Sequence, residues 1–179
     1  NYLEFIRDEY GYKGIFICDA SGTVKLATEK NLVGMDVSQE DYFIEAKKNG
    51  VFVSDVKMAT TPILSEFGKV ERNIPTLFVS SVIQEMNGTF AGVLVFRVDT
   101  AELNKLMQGI EIGESGEAYL INSDGVLITE SRFSIELKRS GLIKDRTALE
   151  LKGINPKTGR LTKGIVECLS GGEGYDITG

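Results

Sequence analysis

The stretch IPTLFVSSVIQEMNGTFAGVLVFRVD, residues 74–99, decides the fold because it predicts a long β-hairpin. Two runs rich in Val, Ile, Leu, Phe and Thr flank Asn87 and Gly88. This dipeptide favours a two-residue type I′ turn, in which both central residues need a positive φ. The turn fixes a register that pairs Met86 with Thr89, Ser80 with Val95, Phe78 with Arg97 and Thr76 with Asp99.

This register sorts the side chains of the hairpin onto two sheet faces, because side chains alternate along a strand. One face is wholly apolar, and we expect it to be core. The other carries a cation and an anion two residues apart, and we expect a ligand there. The mixed face comprises Thr76, Phe78, Ser80, Val95, Arg97 and Asp99, and the apolar face comprises Leu77, Val79, Leu94, Phe96 and Val98.

The composition is that of a soluble globular protein and restricts the classes of partner. The 179 residues are 42% hydrophobic and 26% charged, with a formal net charge of -6. A negative charge without a Lys/Arg cluster argues against nucleic-acid binding. The sequence has no apolar run of membrane-spanning length and no signal peptide, and we expect it to be a soluble piece of a longer chain.

The residue types offer little for catalysis or for a cofactor. The sequence has no His, which removes the commonest general base and the commonest zinc ligand. No calcium-loop spacing, nucleophile elbow or phosphate-binding glycine loop is present, so we predict a non-enzyme without a cofactor. Cys18 and Cys168 lie in apolar settings, and we expect two buried thiols rather than a disulfide.

The remaining chain predicts short helices and strands. In chain order we expect a helix over residues 1–10, a strand-turn-strand unit over 14–28, a helix over 39–48 capped by Ser38, a strand over 51–58, a helix over 101–108 capped by Thr100, a second strand-turn-strand unit over 116–131, and a strand over 164–169.

The two strand-turn-strand units indicate two copies of one module. DASG at residues 19–22 aligns with NSDG at 122–125, each between two apolar runs. The first copy ends with the hairpin, and the second has no equivalent of it. We therefore predict a complete module over residues 1–110 and a partial one over 111–179.

Four stretches together resemble the double Cache sensor domains, which are tandem PAS-like modules of histidine kinases and chemoreceptors. They are VGMDVSQEDYFIEAKKNG (residues 33–50), FVSDV (52–56), GVLVFRVD (92–99) and GESGEAYLINSDGVLITES (113–131). The resemblance implies an α+β fold of PAS-like antiparallel sheet modules flanked by helices, in tandem, with the second module incomplete.

The same resemblance implies a function. The chain is expected to be the non-catalytic, extracytoplasmic sensor domain of a membrane-anchored receptor. A histidine kinase is the favoured receptor class. The membrane-distal module of the chain, residues 1–110, would bind a small carboxylate or amine-bearing metabolite. Separately from the resemblance, we expect that the N-terminal helix can pair two copies of the chain. Binding would shift an equilibrium between two conformations rather than catalyse a reaction.

The resemblance also assigns candidate site residues. It places Tyr42 and Phe43 over the sheet and Asp99 where related domains hold a ligand ammonium. Members that bind amino acids generally have an Arg shortly before the aromatic pair, whereas this sequence has Glu40. Because Tyr42 and Phe43 are adjacent on a helix, they cannot point the same way, and we expect one of them to be core.

Arg97 is the substitute anion holder that the residues themselves indicate, because a guanidinium grips a carboxylate with two hydrogen bonds. The alternatives are a structural ion pair between Arg97 and either Asp99 or Asp55, or exposure of Arg97 at the strand end. Asp99 has its own alternative as a helix-capping residue before Thr100.

The remaining candidates are Asp55, Phe78 and Ser80. Phe78 and Ser80 form the pocket wall if the register holds, and are ordinary sheet residues otherwise. Asp55 faces either the pocket or the following loop. An alternative for the whole chain is a ligand-free PAS-like module that pairs subunits and has a filled apolar pocket, whereas no motif supports a hydrolase.

Overall fold

The computed structural model describes residues 2–59, 63–64, 70–71, 74–113 and 116–173. The chain divides into two compact units, Asn1–Asp99 and Thr100–Gly179. The roles of these units as membrane-distal and membrane-proximal modules stay predictions. Among the described residues, no helix combines the length and the apolar character needed to cross a membrane.

The first unit has the predicted α+β architecture, built on one antiparallel sheet. Its strands lie in the order β2-β1-β8-β7-β3, with β4 also paired to β7, while β5 and β6 pair with each other. A 3-10 helix, Lys30–Leu32, follows β2. The elements are α1 (Tyr2–Tyr10), β1 (Gly14–Asp19), β2 (Val24–Ala27), α2 (Asp41–Asn49), β3 (Val51–Val53), β4 (Lys57–Met58), β5 (Ile63–Leu64), β6 (Val70–Glu71), β7 (Pro75–Gln84) and β8 (Phe90–Asp99).

The predicted hairpin is present as β7 and β8, but its turn differs from the prediction. Asn87 keeps a negative φ and Gly88 alone has a positive one (+85°), so the turn is not type I′. The Gly88 amide donates to the Glu85 carbonyl at 2.9 Å, and the Glu85 amide donates to the Thr89 carbonyl at 2.9 Å. These bonds close a three-residue loop with glycine in the left-handed conformation.

A bulge offsets the longer loop and restores the predicted register. Gln84 pairs with Phe90 and Ile83 with Gly92, which leaves Ala91 as an extra residue in β8. Beyond the bulge the predicted partners are confirmed: Ser80 with Val95, Phe78 with Arg97 and Thr76 with Asp99.

Gly92 allows β1 and β8 to approach closely beside this bulge. A Cβ on Gly92 would overlap the backbone carbonyl oxygen of Cys18 in β1. We expect Gly92→Ala to lower the free energy of unfolding by about 2–3 kcal/mol, because backbone has to move to make room. Urea denaturation measures the change. Gly164→Ala is the control, because a Cβ added at Gly164 would meet no other part of the chain within 4 Å beyond its own helix and chain neighbours. Equal effects of the two variants would refute the close approach.

The mixed face of the sheet is the buried one, so the prediction that the apolar face forms the main core is wrong. Phe78, Val95 and Arg97 on the mixed face are each at most 2% exposed. The reason is that α2 covers this face with Tyr42, Phe43 and Ala46, all buried. The apolar face, comprising Leu77, Val79, Leu94, Phe96 and Val98, is half-buried.

Two local predictions around α2 need correction. Ser38 is not the N-cap, because α2 begins at Asp41 with Glu40 in the capping position, and the Ser38 amide instead bonds Asp36 Oδ1 at 2.9 Å. The predicted strand over residues 51–58 is split into β3 and β4. Between them, the Ser54 hydroxyl accepts the Phe78 amide at 2.9 Å and donates to the following carbonyl, which ends the regular pairing.

The second unit contains little sheet among its described residues. Its turn at residues 122–125 forms as predicted, with the Gly125 amide bonded to the Asn122 carbonyl at 3.0 Å. The flanking runs, however, pair only through a single bridge between Ile121 and Leu127. The elements are α3 (Ala101–Gln108), β9 (Glu111–Ile112), β10 (Gly116–Glu117), α4 (Ser134–Arg139) and α5 (Lys163–Leu169).

The predicted strand over residues 164–169 is wrong, because this segment is helix α5. Ile165 is the one buried side chain of α5, while Val166 and Leu169 are exposed. Ile165 lies against two glycines, Gly125 and Gly153, at which a Cβ would collide with it or crowd it. The helix forms hydrogen bonds within its own segment, such as Ser170 N–H to the Val166 carbonyl at 3.1 Å, whereas a strand needs a neighbouring strand.

The two cysteines differ in exposure. Cys18 is buried as predicted, and its thiol lies 3.4 Å from the Val93 carbonyl oxygen. Cys168 is exposed on α5, so the prediction of a second buried thiol is wrong.

Candidate functional site

An aromatic stack lies between α2 and the buried sheet face. The Tyr42 ring is stacked on Phe78, with centroids 4.8 Å apart, and meets the edge of Phe16 at 5.7 Å. The Ser80 hydroxyl donates to the Tyr42 carbonyl at 2.7 Å and ties the start of α2 to β7. Burial raises the pKa of the Tyr42 hydroxyl, so this side chain stays neutral.

Phe43 is also buried, which corrects the prediction that one of the two aromatic residues would be core. The Phe43 ring is 5% exposed and packs edge-on against Phe90 at 6.1 Å. Adjacent helix positions do point in different directions. Because α2 lies flat on the sheet, however, Tyr42 and Phe43 reach different parts of the same core.

Arg97 is fully buried on this face and forms an ion pair that the sequence did not predict. Its exposed fraction is 0%, and its Nη1 lies 3.3 Å from Glu29 Oε1. The guanidinium carbon lies 6.0 Å from the centre of the Phe78 ring. Thus Arg97 pairs with Glu29, which was not among the carboxylates considered, Asp99 and Asp55.

Glu29 is the residue that sequence reasoning missed, and its position depends on Gly14. Glu29 is 2% exposed and follows β2. Gly14 lies opposite Arg97 in the pairing of β1 with β8. The sequence alone carried no signal for Glu29, because Gly14 lies opposite Arg97 only once β1 and β8 are paired.

Burial perturbs both members of this ion pair. It raises the pKa of Glu29 above its ordinary value of 4.5, and the positive charges of Arg97 and Arg7 oppose that rise. Burial likewise lowers the pKa of Arg97, against the negative charge of Glu29. Arginine nonetheless keeps its charge at neutral pH, because its pKa starts above 12.

The raised pKa of Glu29 predicts a pH dependence of stability. Between 4.5 and the raised value, the folded state holds more protons than the unfolded state, so the free energy of unfolding falls as pH rises through that window. Urea denaturation from about pH 4 to about pH 8 gives the free energy of unfolding of wild type and of Glu29→Gln. The value for wild type minus that for Glu29→Gln should decrease with rising pH across this window and stay constant above it. A difference that increases with pH would contradict the raised pKa.

Lys57 is a second cation at the aromatic stack. Its Nζ lies 5.5 Å from the ring centres of both Tyr42 and Phe78. It also lies 2.5 Å from Asp41 Oδ1 and 3.5 Å from Glu40 Oε2 at the start of α2. Lys57 and Arg97 therefore both approach the Phe78 ring, each with its own carboxylate partners.

The structure brings some predicted site residues together and separates others. Tyr42, Phe78 and Ser80 are in contact, with Arg97 beside them. Asp99 lies at the end of β8, where its Oδ2 is 3.0 Å from Lys13 Nζ. Asp55 is exposed in the irregular segment between β3 and β4. A ligand role for any of these residues, and for Phe43, stays a prediction.

Comparison with known proteins identifies the fold. No family model and no curated protein sequence matches the chain. Among solved structures, the chain is similar to the extracellular domain of rpHK1S-Z16, assigned as a histidine kinase, with 25% identity and a TM-score of 0.50 over 70% of this chain and 50% of that one. The fold is that of a Cache-type sensor domain.

Further sensor domains of this type share the fold. The ligand-binding domain of the Campylobacter jejuni chemoreceptor Tlp3, in complex with L-norvaline, matches with 18% identity and a TM-score of 0.56 over 75% of this chain and 49% of that one. The sensory domain of Tlp3 in a separate structure matches with 17% identity and a TM-score of 0.53, over 75% of this chain and 51% of that one. This chain spans about half the length of these Cache-type domains.

Proposed function

We propose that the chain is part of the extracytoplasmic sensor domain of a membrane-anchored signalling receptor, and a histidine kinase is the receptor class that we favour. Its first unit binds a small polar metabolite between α2 and the sheet. Binding changes the relative stability of two conformations, and the receptor transmits that change. The domain itself performs no chemistry.

The observation that carries this proposal is the fully buried Arg97 beside the aromatic stack. Burying a cation is costly, and a carboxylate of similar burial has to neutralise it. A packed apolar core could have filled this face at no such cost. A second cation, Lys57, over the same aromatic rings makes the region suited to an anionic or mixed-charge ligand.

The ligand-free module remains the second candidate, and a specific observation favours it. Tyr42 is stacked directly on Phe78, and the Ser80 hydroxyl is bonded to the backbone of α2. In that arrangement the side chains expected to line a ligand pocket instead fill the space between α2 and the sheet. The N-terminal helix then supports subunit pairing, because it exposes Tyr2, Phe5 and Tyr10 by 75%, 61% and 70%.

A thermal-shift screen separates the two candidates. The protein is heated with a panel of amino acids, mono- and dicarboxylates and small amines, each at matched ionic strength. The sensor proposal expects at least one compound to raise the melting temperature in a saturable way, since a ligand that binds the folded state stabilises it. No response to any compound in the panel would favour the ligand-free module.

A further inference from the structure

Arg97, Gly14 and Glu29 lie side by side on one sheet face, across three neighbouring chain segments. Gly14 is the pairing partner of Arg97 in β1 and β8. On the other side, the pairing of β1 with β2 continues past Ala27, because the Thr28 amide donates to the Ile15 carbonyl at 2.9 Å. The same register then places Glu29 beside Gly14, and its side chain crosses Gly14 to reach Arg97.

The missing side chain of Gly14 creates a space that has the size of one carboxylate. A Cβ on Gly14 would lie 2.5 Å from Glu29 Oε2 and 2.7 Å from Oε1. The Thr28 hydroxyl lies 3.3 Å from Oε2, and Arg97 Nη1 lies 3.3 Å from Oε1. The space therefore offers a cation and a hydroxyl donor to the two oxygens of a carboxylate.

We propose that this space is a carboxylate subsite, which Glu29 occupies in the ligand-free protein and which the carboxylate of a ligand takes in place of Glu29. The proposal rests on the proposed function, because it places the ligand at Arg97, and it names the ligand class as small organic acids. We call this space the Gly14 subsite.

An exchange of this kind avoids the main cost of binding at a buried cation. One carboxylate replaces another, so the charge of Arg97 stays neutralised in both states. Glu29 leaves for solvent, where its charge is hydrated. Because Glu29 directly precedes the 3-10 helix and its carbonyl accepts the Leu32 amide at 3.0 Å, its departure moves this segment along with the side chain.

Chemical rescue with acetate tests the Gly14 subsite directly. In Glu29→Ala the subsite is vacant, and Arg97 has lost the carboxylate of Glu29. We expect sodium acetate to raise the melting temperature of this variant in a saturable way by about 5 °C or more relative to sodium chloride at the same concentration. Wild type in the same two salts should differ by much less, because Glu29 already occupies the subsite.

Two further variants keep the test decisive. Gly14→Ala/Glu29→Ala puts a methyl group in the space and should lose most of the acetate effect. If Glu29→Ala does not fold in either salt, Glu29→Gln replaces it. The neutral amide holds Arg97 more weakly than a carboxylate, so acetate should stabilise Glu29→Gln more than wild type. If acetate raises the melting temperatures of Glu29→Ala and Glu29→Gln no more than that of wild type, the proposal is overturned.

The result of the acetate test can be distinguished from the result of the metabolite screen that tests the proposed function. If acetate rescues the Glu29 variants while the metabolite panel leaves wild type unchanged, the space accepts a carboxylate only when Glu29 is removed, and both the exchange and the sensor proposal fail. If a metabolite stabilises wild type while the Glu29 variants ignore acetate, the domain is a sensor and the Gly14 subsite is refuted.

Discussion

Arg97→Met is expected to lower the free energy of unfolding by about 3–5 kcal/mol, the effect of removing one partner from a buried ion pair. The cause is the remaining partner: Glu29 is 2% exposed and, without the Arg97 guanidinium, has either to bury an unpaired charge or to take up a proton. Urea denaturation followed by circular dichroism measures the loss.

Restoring charge balance should recover most of this loss. In Arg97→Met/Glu29→Leu both charges are absent and apolar side chains fill the same space, an exchange that is often neutral or stabilising. Lys25→Met is the matched control, because Lys25 is a surface cation whose side chain is 59% exposed and pairs with Asp19 at 3.0 Å. Its loss should cost about 1 kcal/mol or less. A single Arg97→Met variant as stable as this control would refute the buried pair.

Tyr42→Ala is expected to cost about 3–5 kcal/mol, the range for truncating a buried aromatic ring. The ring contacts Phe78 and Phe16 and is 2% exposed, so its removal leaves a cavity at the centre of the interface between α2 and the sheet. Thermal and urea denaturation measure the loss, and near-ultraviolet circular dichroism reports the packing of the rings.

Conservative and exposed changes provide the controls for Tyr42. Tyr42→Phe keeps the ring and should stay within about 1 kcal/mol of wild type. Tyr10→Ala removes a tyrosine that is 70% exposed, and it should stay within about 0.5 kcal/mol. If Tyr42→Ala were as mild as Tyr10→Ala, the stack would not hold α2 on the sheet.

The hairpin was predictable because its register is encoded locally. Two alternating strands around Asn87 and Gly88 permit few pairings, and the pairing of Phe78 with Arg97 is confirmed. The turn type was not predictable in the same way. A three-residue loop and a bulge at Ala91 give the same register as a two-residue loop without a bulge, and the strand pattern cannot distinguish them.

The covered face and the partner of Arg97 required information from distant segments. Polarity indicated that the apolar face would be core, whereas α2 covers the face that carries Arg97. Glu29 becomes a neighbour of Arg97 only when three strands are in register and Gly14 lies between them. Such a contact, 68 residues apart in the chain, leaves no periodic signal.

The second unit shows the limit of local propensity. The run of residues 164–169 has strand-like composition but forms α5, because tertiary contacts decide between helix and strand for short apolar segments. The contact in this case is Ile165 against the backbone of Gly125 and Gly153.

Isothermal titration calorimetry with the strongest compound from the thermal-shift screen tests the central claim, that the first unit binds a ligand at Arg97. The wild type and Lys25→Met should bind it with the same affinity. Arg97→Met/Glu29→Leu, which is expected to keep the fold but lacks the Arg97 guanidinium, should bind at least about tenfold more weakly, the loss of one charge-assisted interaction. Equal affinity of this double variant and wild type would contradict the account.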